Sequence, residues 1–471
     1  MFYSHICLNF ATNLYMWNTF GGAITISYNS YLIIMVLQKI FGFDSTKHSV
    51  KTEMMAGLTS FLTMAYILAV NPNIFSPLAD QGMDTSAVFT ATVIASVIGT
   101  LVMAFYAKLP FGLAPGMGLN AFFVYTVCLK MGYSWQFALT AILIEGILFI
   151  ILSVTKVREM IVNAIPIQMK MAISVGIGLF IVFLGLMNAQ IIVSDPATLL
   201  TIGDFTSGQV VLAFIGLFII AALLIYKVKG ALLIGILITA LIGIPFGLTE
   251  LNGVISMPPD VSPLCFQFEW DKIFSWDMLL VVITFLFIDL FDTLGSVIGV
   301  MSSAGLIQKD GTIPGINKAL MADAIATTAG ACVGASTTTT YVESATGVGE
   351  GGRTGLTAFS IAMCFVFSLF FAPLFLSIPS AATAPVLIIV GLMMFTNVTQ
   401  MDLKDYTQSI PCFITLFMMP MTASISEGIL LGIITYVVIN SMARKWKNLN
   451  ATIVILAIIF IIRFLIPLFF Q

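Results

Sequence analysis

The sequence has 471 residues, of which 59% are hydrophobic and only 9% are charged. Its mean hydropathy is +1.07, whereas an ordinary soluble domain carries roughly 25% charged residues. This composition excludes a typical soluble domain and indicates an all-α polytopic protein that spans a lipid bilayer. The net charge is −3 and the 19 basic residues are scattered, so no nucleic-acid-binding surface is indicated.

Long apolar stretches follow one another along most of the chain. A helix that crosses the bilayer needs about 20 predominantly apolar residues, and about fourteen such stretches are recognisable. Their approximate ranges are 54–70, 86–106, 111–129, 135–154, 169–187, 209–226, 231–248, 278–300, 318–335, 336–349, 356–377, 382–398, 409–426 and 428–442. A further apolar stretch, 452–470, is predicted either to span the membrane or to lie against the bundle.

The charges in the loops predict the orientation of the bundle. Loops after the even-numbered stretches are basic, as at Lys108, Lys227 and Arg444, whereas the opposite loops are mainly acidic or neutral, as at Asp80 and Glu250. Basic residues accumulate in cytoplasmic loops. We therefore expect both ends of the bundle, and with them the N-terminus, on the cytoplasmic side.

The third and tenth stretches are interrupted by residues that disfavour helix. Prolines and glycines crowd residues 110–118, and the run Thr337–Thr340 is followed by glycines at 347, 349, 351 and 352. Irregular backbone at membrane depth is tolerated where it lines a cavity or is buried in protein. Because the interruptions occupy corresponding positions in two halves of the chain, they predict an inverted repeat of about 7+7 stretches with a polar site at the midplane. The alternative is a re-entrant structural loop without a ligand.

Three acidic side chains lie within stretches that otherwise resemble membrane spans: Asp289, Asp292 and Glu343. A carboxylate in hydrocarbon costs at least a few kcal/mol, so such residues usually face a protein interior or a wet cavity. Asp289 and Asp292 are three residues apart and share one helix face. We interpret them as part of a substrate or proton site; the alternative is a structural hydrogen-bonded pair at a helix–helix contact.

Five motifs, in order, resemble those of one family. They are GLTSFLTMAYILAVNP, LAPGMGLNAFF, FLFIDLFDTLGSVIGV, MADAIATTAGACVGASTTTTYVESATGVGEGGRTGLTA and LFMMPMTASISEGI. Together they resemble the nucleobase–cation symporter type 2 family, and within it the adenine/guanine/hypoxanthine permease (azaguanine-permease-like) branch. The resemblance covers residues from about 40 to about 445. Single motifs of this kind occur by chance, whereas five in the family's order are specific.

The resemblance implies how the chain is divided. Spans 3 and 10 would each contain a short strand followed by a half-helix, with the substrate held between them. A core domain would move against a gate domain. The implied segments are a cytoplasmic lead at 35–53, the core at 54–154 and 278–377, the gate at 155–250 and 378–445, an extracellular loop at 251–277 and a hydrophobic C-terminal segment at 446–471.

The resemblance also implies a purine nucleobase:proton symporter that acts as a homodimer in the cell membrane. It implies neither an enzyme nor a cofactor or metal site. In the matching positions, Asp289 and Glu343 hold the base and Asn120 is tied to transport. The other implied residues are Thr340 and Gly118 for the substrate and Asp292 with Asp289 for proton coupling. Asp323 is a further acid within a predicted span, and we interpret it as a residue that hydrogen-bonds to a partner on span 8 or 10 and orients it.

The chemistry of these side chains suits a purine. A carboxylate can accept two N–H groups from one edge of the ring, and an amide such as that of Asn120 can pair with a donor and an acceptor. Asp292 lies close to Asp289 in sequence. A second carboxylate offers a route to proton coupling, because protonation and base binding would stabilise the same state.

Rival functions fit these residues less well. An anion transporter of the same architecture should place a cation, or bare helix N-termini, at the site, whereas the mid-span charges here are acidic. A membrane enzyme needs a nucleophile or metal set, and the sequence contains no HExxH, GxSxG or Cys/His cluster. A channel gives no reason for two interrupted spans in inverted register. A symporter for another nucleobase, xanthine or uracil, remains the nearest alternative.

The first 34 residues fall outside the family pattern, and we interpret them as the product of a misassigned start, with Met35 as the natural one. They contain no complete span and no motif. We therefore expect that deleting residues 1–34 leaves membrane insertion and purine uptake intact, as measured by uptake in whole cells. A protein that starts at Met35 and fails to insert or transport would contradict this prediction; a peripheral helix near 31–41 is the alternative.

Overall fold

The computed structural model describes residues 35–154, 166–251, 253–303 and 315–469, and most of the regular structure in these ranges is helical. The segment 1–34 and the prediction about it lie outside the described residues. Residues 35–41 form a helix that docks on the bundle, where Phe41 contacts the rings of Phe105 and Phe359. The first long helix begins at Val50, a few residues before the predicted start of span 1.

The first half of the chain contains one bent span followed by helices and short strands. In chain order its elements are α1 (Val50–Met64), α2 (Ile67–Phe75), α3 (Thr85–Val102), β1 (Leu113–Pro115), α4 (Met117–Ala121), α5 (Trp135–Val154), α6 (Ile167–Asn188), β2 (Ile192–Asp195), β3 (Leu199–Ile202), α7 (Gly208–Ile225) and α8 (Ala231–Gly243). Met103–Ala107 and Phe122–Lys130 extend α3 and α4 as π-helix. The break between α1 and α2 lies shortly before Pro72, which removes a backbone donor from the helix.

The second half again begins with helices, followed by a short strand and a short helix, but its described residues contain no counterpart of the β2–β3 hairpin. It contains α9 (Trp276–Ser303), α10 (Ile316–Cys332), β4 (Thr338–Thr340), α11 (Ser344–Gly349), α12 (Gly355–Ser368), α13 (Ala372–Leu376), α14 (Ser380–Phe395), α15 (Tyr406–Met421), α16 (Ile425–Met442) and α17 (Ala451–Phe469). In each half the third unit is a short strand followed by a short helix. The last helix, α17, covers the predicted 452–470 stretch and packs against α16.

The two interrupted spans meet through their strands. β1 and β4 pair antiparallel, with Leu113 opposite Thr340 and Pro115 opposite Thr338. An antiparallel pair formed by equivalent strands of two repeats fits an inverted repeat. The short helices that follow the two strands confirm the predicted strand and half-helix in spans 3 and 10. The other strand pair, β2–β3, forms a hairpin between α6 and α7 that the apolar pattern did not reveal.

Within the described ranges, seven helical segments are long and apolar enough to cross a bilayer. They are Val50–Gln81, Thr85–Ala107, Trp135–Val154, Ile167–Asn188, Gly208–Ile225, Gly355–Leu376 and Ser380–Thr399. Each coincides with a predicted stretch. The number of spans in the whole chain stays a prediction.

Helix packing separates the bundle into two groups. In one group, α10 packs against α3 and α5, and α12 packs against α1 and α3. In the other, α6 packs against α14 and α15, while α7 packs against α8 and α14. The strands β1 and β4 belong to the first group, and the half-helix α4 reaches from it to α6.

Candidate functional site

The paired strands are held by polar side chains from neighbouring helices. The hydroxyl of Thr100 bonds both the N–H and the carbonyl of Leu113, at 3.0 and 3.2 Å. The hydroxyl of Thr327 likewise bonds the N–H and the carbonyl of Thr338, at 3.2 and 3.3 Å. Tyr341 donates its hydroxyl to the Pro115 carbonyl at 2.7 Å. Strands of three residues therefore have a fixed position, because buried backbone groups are satisfied on both sides.

Glu343 lies where β4 turns into α11. Its backbone caps the start of that helix, and its carbonyl accepts a hydrogen bond from the hydroxyl of Thr346 and lies 3.4 Å from the hydroxyl of Thr63. One carboxylate oxygen, Oε1, accepts a hydrogen bond of 2.7 Å from the hydroxyl of Tyr66. Among the described residues no side chain donates a hydrogen bond to the other oxygen, Oε2, and the side chain of Glu343 is half-buried.

Asp292 and Asp289 lie on the same face of α9, as predicted from their spacing. Asp292 is half-buried, and its Oδ2 lies 3.5 Å from the hydroxyl of Thr339, in the middle of β4. A Cβ added to Gly116 would lie 3.4 Å from the same oxygen, so Asp292 also adjoins the end of β1. Asp289 is fully buried and accepts a hydrogen bond of 3.3 Å from Thr293.

Asp323 is fully buried in α10 and accepts two hydrogen bonds from Thr340. The threonine hydroxyl lies 2.9 Å from Oδ1 and its backbone N–H lies 3.3 Å from Oδ2. The carboxylate therefore fixes both the side chain and the backbone of the last residue in β4. In this conformation the hydroxyl of Thr340 is directed at Asp323 and not at a ligand.

Asn120 is also fully buried, and protein groups engage both ends of its amide. Its nitrogen donates to Oδ1 of Asn71 at 2.5 Å, and its oxygen accepts a hydrogen bond from the hydroxyl of Ser336. Asn71 in turn donates to Thr92 at 2.6 Å. The amide thus joins the two interrupted spans to each other and to α2 and α3.

Gly118 lies at the contact between the two groups of helices. A Cβ at this position would lie 2.8 Å from Cγ2 of Ile177 in α6 and 4.0 Å from Ile425 in α16. Real Cβ atoms almost never approach another heavy atom to 2.8 Å, so the close approach of α4 to α6 requires glycine here. Gly118 therefore lets the interrupted span touch the opposite group of helices.

The sequence did not reveal three contributors to this region. Tyr66 was part of an apolar motif. Its side chain is positioned by the break between α1 and α2, and Pro72 is the only sequence signal of that break. Asn71 and Ser336 lie within motifs that carry the family resemblance, but no role was predicted for either residue. Their roles depend on contacts between segments that are far apart in sequence, and a hydrophobic pattern carries no information about such contacts.

Glu53 is a further buried acid that was predicted to belong to the cytoplasmic lead. It is fully buried in α1 and accepts hydrogen bonds from the backbone N–H groups of Arg353 and Thr354 at 3.1 and 3.2 Å. It also accepts the hydroxyl of Thr357 at 2.5 Å. A carboxylate at the N-terminus of α12 is favourable for the helix dipole, so Glu53 ties span 1 to span 11.

The arrangement can recognise a neutral molecule that has N–H donors. Glu343 and Asp292 both adjoin β4, the first at its end and the second beside its middle residue. An ionised carboxylate only accepts hydrogen bonds. Among the described residues, no group of three or more His, Cys, Asp or Glu side chains could hold a metal ion.

Residues 51–431 match the Permease family. The chain is 39% identical over 430 residues to the adenine permease AdeQ of Escherichia coli, with 91% of this chain and 96% of the relative covered. It is 42% identical over 435 residues to the guanine/hypoxanthine permease PbuO of Bacillus subtilis, with 91% of this chain and 100% of the relative covered.

The fold is shared with a solved membrane transporter. The transmembrane domain of the cyanobacterial bicarbonate transporter BicA superposes with a TM-score of 0.59 at 16% identity, covering 81% of this chain and 97% of that chain. At this level of identity the similarity concerns the fold alone. It confirms the predicted membrane-transporter architecture built on an inverted repeat.

Proposed function

This chain belongs to the Permease family, and from that premise we propose that it transports purine nucleobases such as adenine, guanine or hypoxanthine. It is a multi-pass membrane protein. The observation that carries the proposal is the position of two carboxylates, Glu343 and Asp292, beside the paired strands of the interrupted spans. The adenine and guanine/hypoxanthine permeases among its relatives support the choice of purines.

We propose that Glu343 and the acids of α9, Asp289 and Asp292, make the contacts to the base. A purine presents N–H groups along its edges, and a carboxylate oxygen accepts them with the strength of a charge-assisted hydrogen bond. In this proposal Asn120, Thr340 and Gly118 do not contact the base but support the residues that do. Asn120 and Thr340 form hydrogen bonds to protein groups, and Gly118 contacts α6, which supports a role in holding β1 and β4 in place.

The transport step in this proposal is movement of a core domain, 54–154 with 278–377, against a gate domain, 155–250 with 378–445. The separation of helix contacts into two groups supports this division. In the part of the chain that the structure describes, two ion pairs join the proposed domains: Lys130 with Glu427 at 3.2 Å, and Lys229 with Glu350 at 2.7 Å. By the predicted topology the first pair lies on the outer side and the second on the cytoplasmic side. Any relative movement of the domains has to rearrange these pairs.

We further propose proton symport in the cell membrane, with the N-terminus in the cytoplasm and a homodimer as the assembled form. Asp292 lies half-buried beside β4, one helical turn from the fully buried Asp289. This proximity supports coupling of proton binding to substrate binding. A proton on one acid changes the free energy of placing a base or a second charge beside it. Basic residues in the predicted cytoplasmic loops support the orientation.

Uptake of labelled hypoxanthine by cells that lack their own purine permeases tests the function. We expect uptake that is competed by adenine or guanine, falls as external pH rises and collapses with a protonophore. Parallel competition by xanthine, uracil, sulfate and bicarbonate separates the alternatives. Uptake of an anion that purines do not inhibit would overturn the proposal in favour of an anion transporter of the same fold.

Two isosteric substitutions test the coupling. Asp289→Asn and Asp292→Asn each remove a titratable group from α9 while keeping the size of the side chain. We expect both to flatten the dependence of uptake on the proton gradient, and Asp289→Asn to weaken hypoxanthine binding the more. Accumulation driven by a proton gradient that is unchanged in both variants would remove both acids from the mechanism.

A further inference from the structure

Tyr66 is a buried residue that contacts Glu343 and to which the proposed mechanism assigns no role. It lies in the break between α1 and α2, where its backbone carbonyl accepts from Val70, and its side chain is 0% exposed. A buried phenol needs a hydrogen-bond acceptor. The acceptor here is the carboxylate of Glu343, which is 277 positions away in sequence.

The backbone of Glu343 and its carboxylate are held by the same segment. The hydroxyl of Thr63 lies 3.4 Å from the Glu343 carbonyl, and Tyr66 donates to Oε1 at 2.7 Å. Ser60, one turn earlier in α1, bonds the N–H of Gly347 at 3.2 Å and so holds α11 itself. Span 1 therefore fixes where the Glu343 side chain starts and how its carboxylate is turned.

The orientation of a carboxylate is otherwise weakly determined. The last torsion of a glutamate side chain connects an sp³ to an sp² carbon and has a broad, two-fold energy profile. A single strong donor on one oxygen removes that freedom. With Oε1 bound to Tyr66, Oε2 is the oxygen to which no side chain of the described residues donates a hydrogen bond.

We propose that Tyr66 is a positioning residue for substrate recognition: its hydroxyl fixes Oε1 of Glu343 and thereby presents Oε2 to an N–H group of the purine. This inference rests on the proposed function, and it adds Tyr66 as the residue that orients the carboxylate of Glu343. It also means that Glu343 offers the base one dedicated oxygen, in place of the symmetrical two-oxygen fork that the sequence suggested.

The first test is Tyr66→Phe, which keeps the ring and removes the hydroxyl. We expect the Kd for hypoxanthine, measured by titration calorimetry on purified protein, to rise roughly five- to tenfold. In cells the KM for uptake should rise by a similar factor while the maximal rate per transporter is retained. The matched control is Tyr436→Phe: Tyr436 is equally buried but donates to the carbonyl of Asn448. That variant should bind hypoxanthine like the wild type.

The second test uses the pair. In Glu343→Gln, the hydroxyl of Tyr66 holds the amide oxygen and directs the NH₂ group at the base. Adding Tyr66→Phe frees the amide to turn, so the double variant should bind hypoxanthine at least as well as Glu343→Gln alone. Independent contributions would instead multiply the two losses.

These outcomes separate the inference from the function on which it rests. A wild-type protein that binds no purine contradicts the proposed function. A wild type that binds, together with an unchanged Kd in Tyr66→Phe or multiplied losses in the double variant, overturns the role of Tyr66. Calorimetry also reports the number of sites per protein, so a variant that is only partly folded shows fewer sites and not a false change in Kd.

Discussion

Glu343→Gln should weaken hypoxanthine binding by roughly tenfold or more while the protein remains folded in the membrane. The fold is expected to survive because the amide oxygen of glutamine can still accept the hydrogen bond that Tyr66 donates to Oε1. That same bond then places the NH₂ group where Oε2 was. A donor would face the N–H donor of the purine, and the loss is larger than that of one neutral hydrogen bond. Calorimetric titration with hypoxanthine measures the effect.

Glu250→Gln is the matched control for this substitution. It makes the same chemical change in an exposed loop that follows α8, so purine affinity should not change. Surface expression and the melting temperature of both variants establish that they are folded. Wild-type affinity in Glu343→Gln would remove this residue from the substrate site and leave Asp292 and Asp289 as the acids that require explanation.

The sequence predicted the elements whose signals are local. Prolines and glycines around Pro115, and the threonines before Glu343, predicted the interruptions, and both segments form a strand and a short helix. Apolar stretches predicted helices because a bilayer leaves few other ways to satisfy the backbone. The break in span 1 was missed, although Pro72 lies within its second part, because the stretch is apolar on both sides of the break.

The partners of the predicted site residues could not be derived in the same way. Asp323 was expected to orient a residue on span 8 or span 10, and the structure places its carboxylate on Thr340. Nothing in a single sequence selects that threonine from a run of four. The bonds from Tyr66 to Glu343 and from Asn120 to Asn71 likewise depend on how separate spans pack. Such contacts follow from the fold and not from spacing along the chain.

Asn120→Ala should lower the stability of the protein. The protein that remains folded should still bind hypoxanthine with nearly the wild-type Kd. The change leaves Oδ1 of Asn71 and the hydroxyl of Ser336 without their bonds to Asn120, at a site that is 0% exposed. Each buried polar group left unsatisfied costs about 1–3 kcal/mol. We therefore expect a melting temperature lower by several degrees, less protein in the membrane, and a Kd for hypoxanthine within about threefold of the wild type.

Asn397→Ala provides the comparison. Its amide also bonds a side chain from another helix, donating to the hydroxyl of Ser174 at 3.2 Å, but the contact is only partly buried, so the melting temperature should fall less. Because water can replace a lost partner at Asn397 and not at Asn120, the difference between the two variants measures the buried network itself. An unchanged melting temperature in Asn120→Ala together with a Kd raised more than tenfold would instead mean that the amide turns towards the substrate during transport.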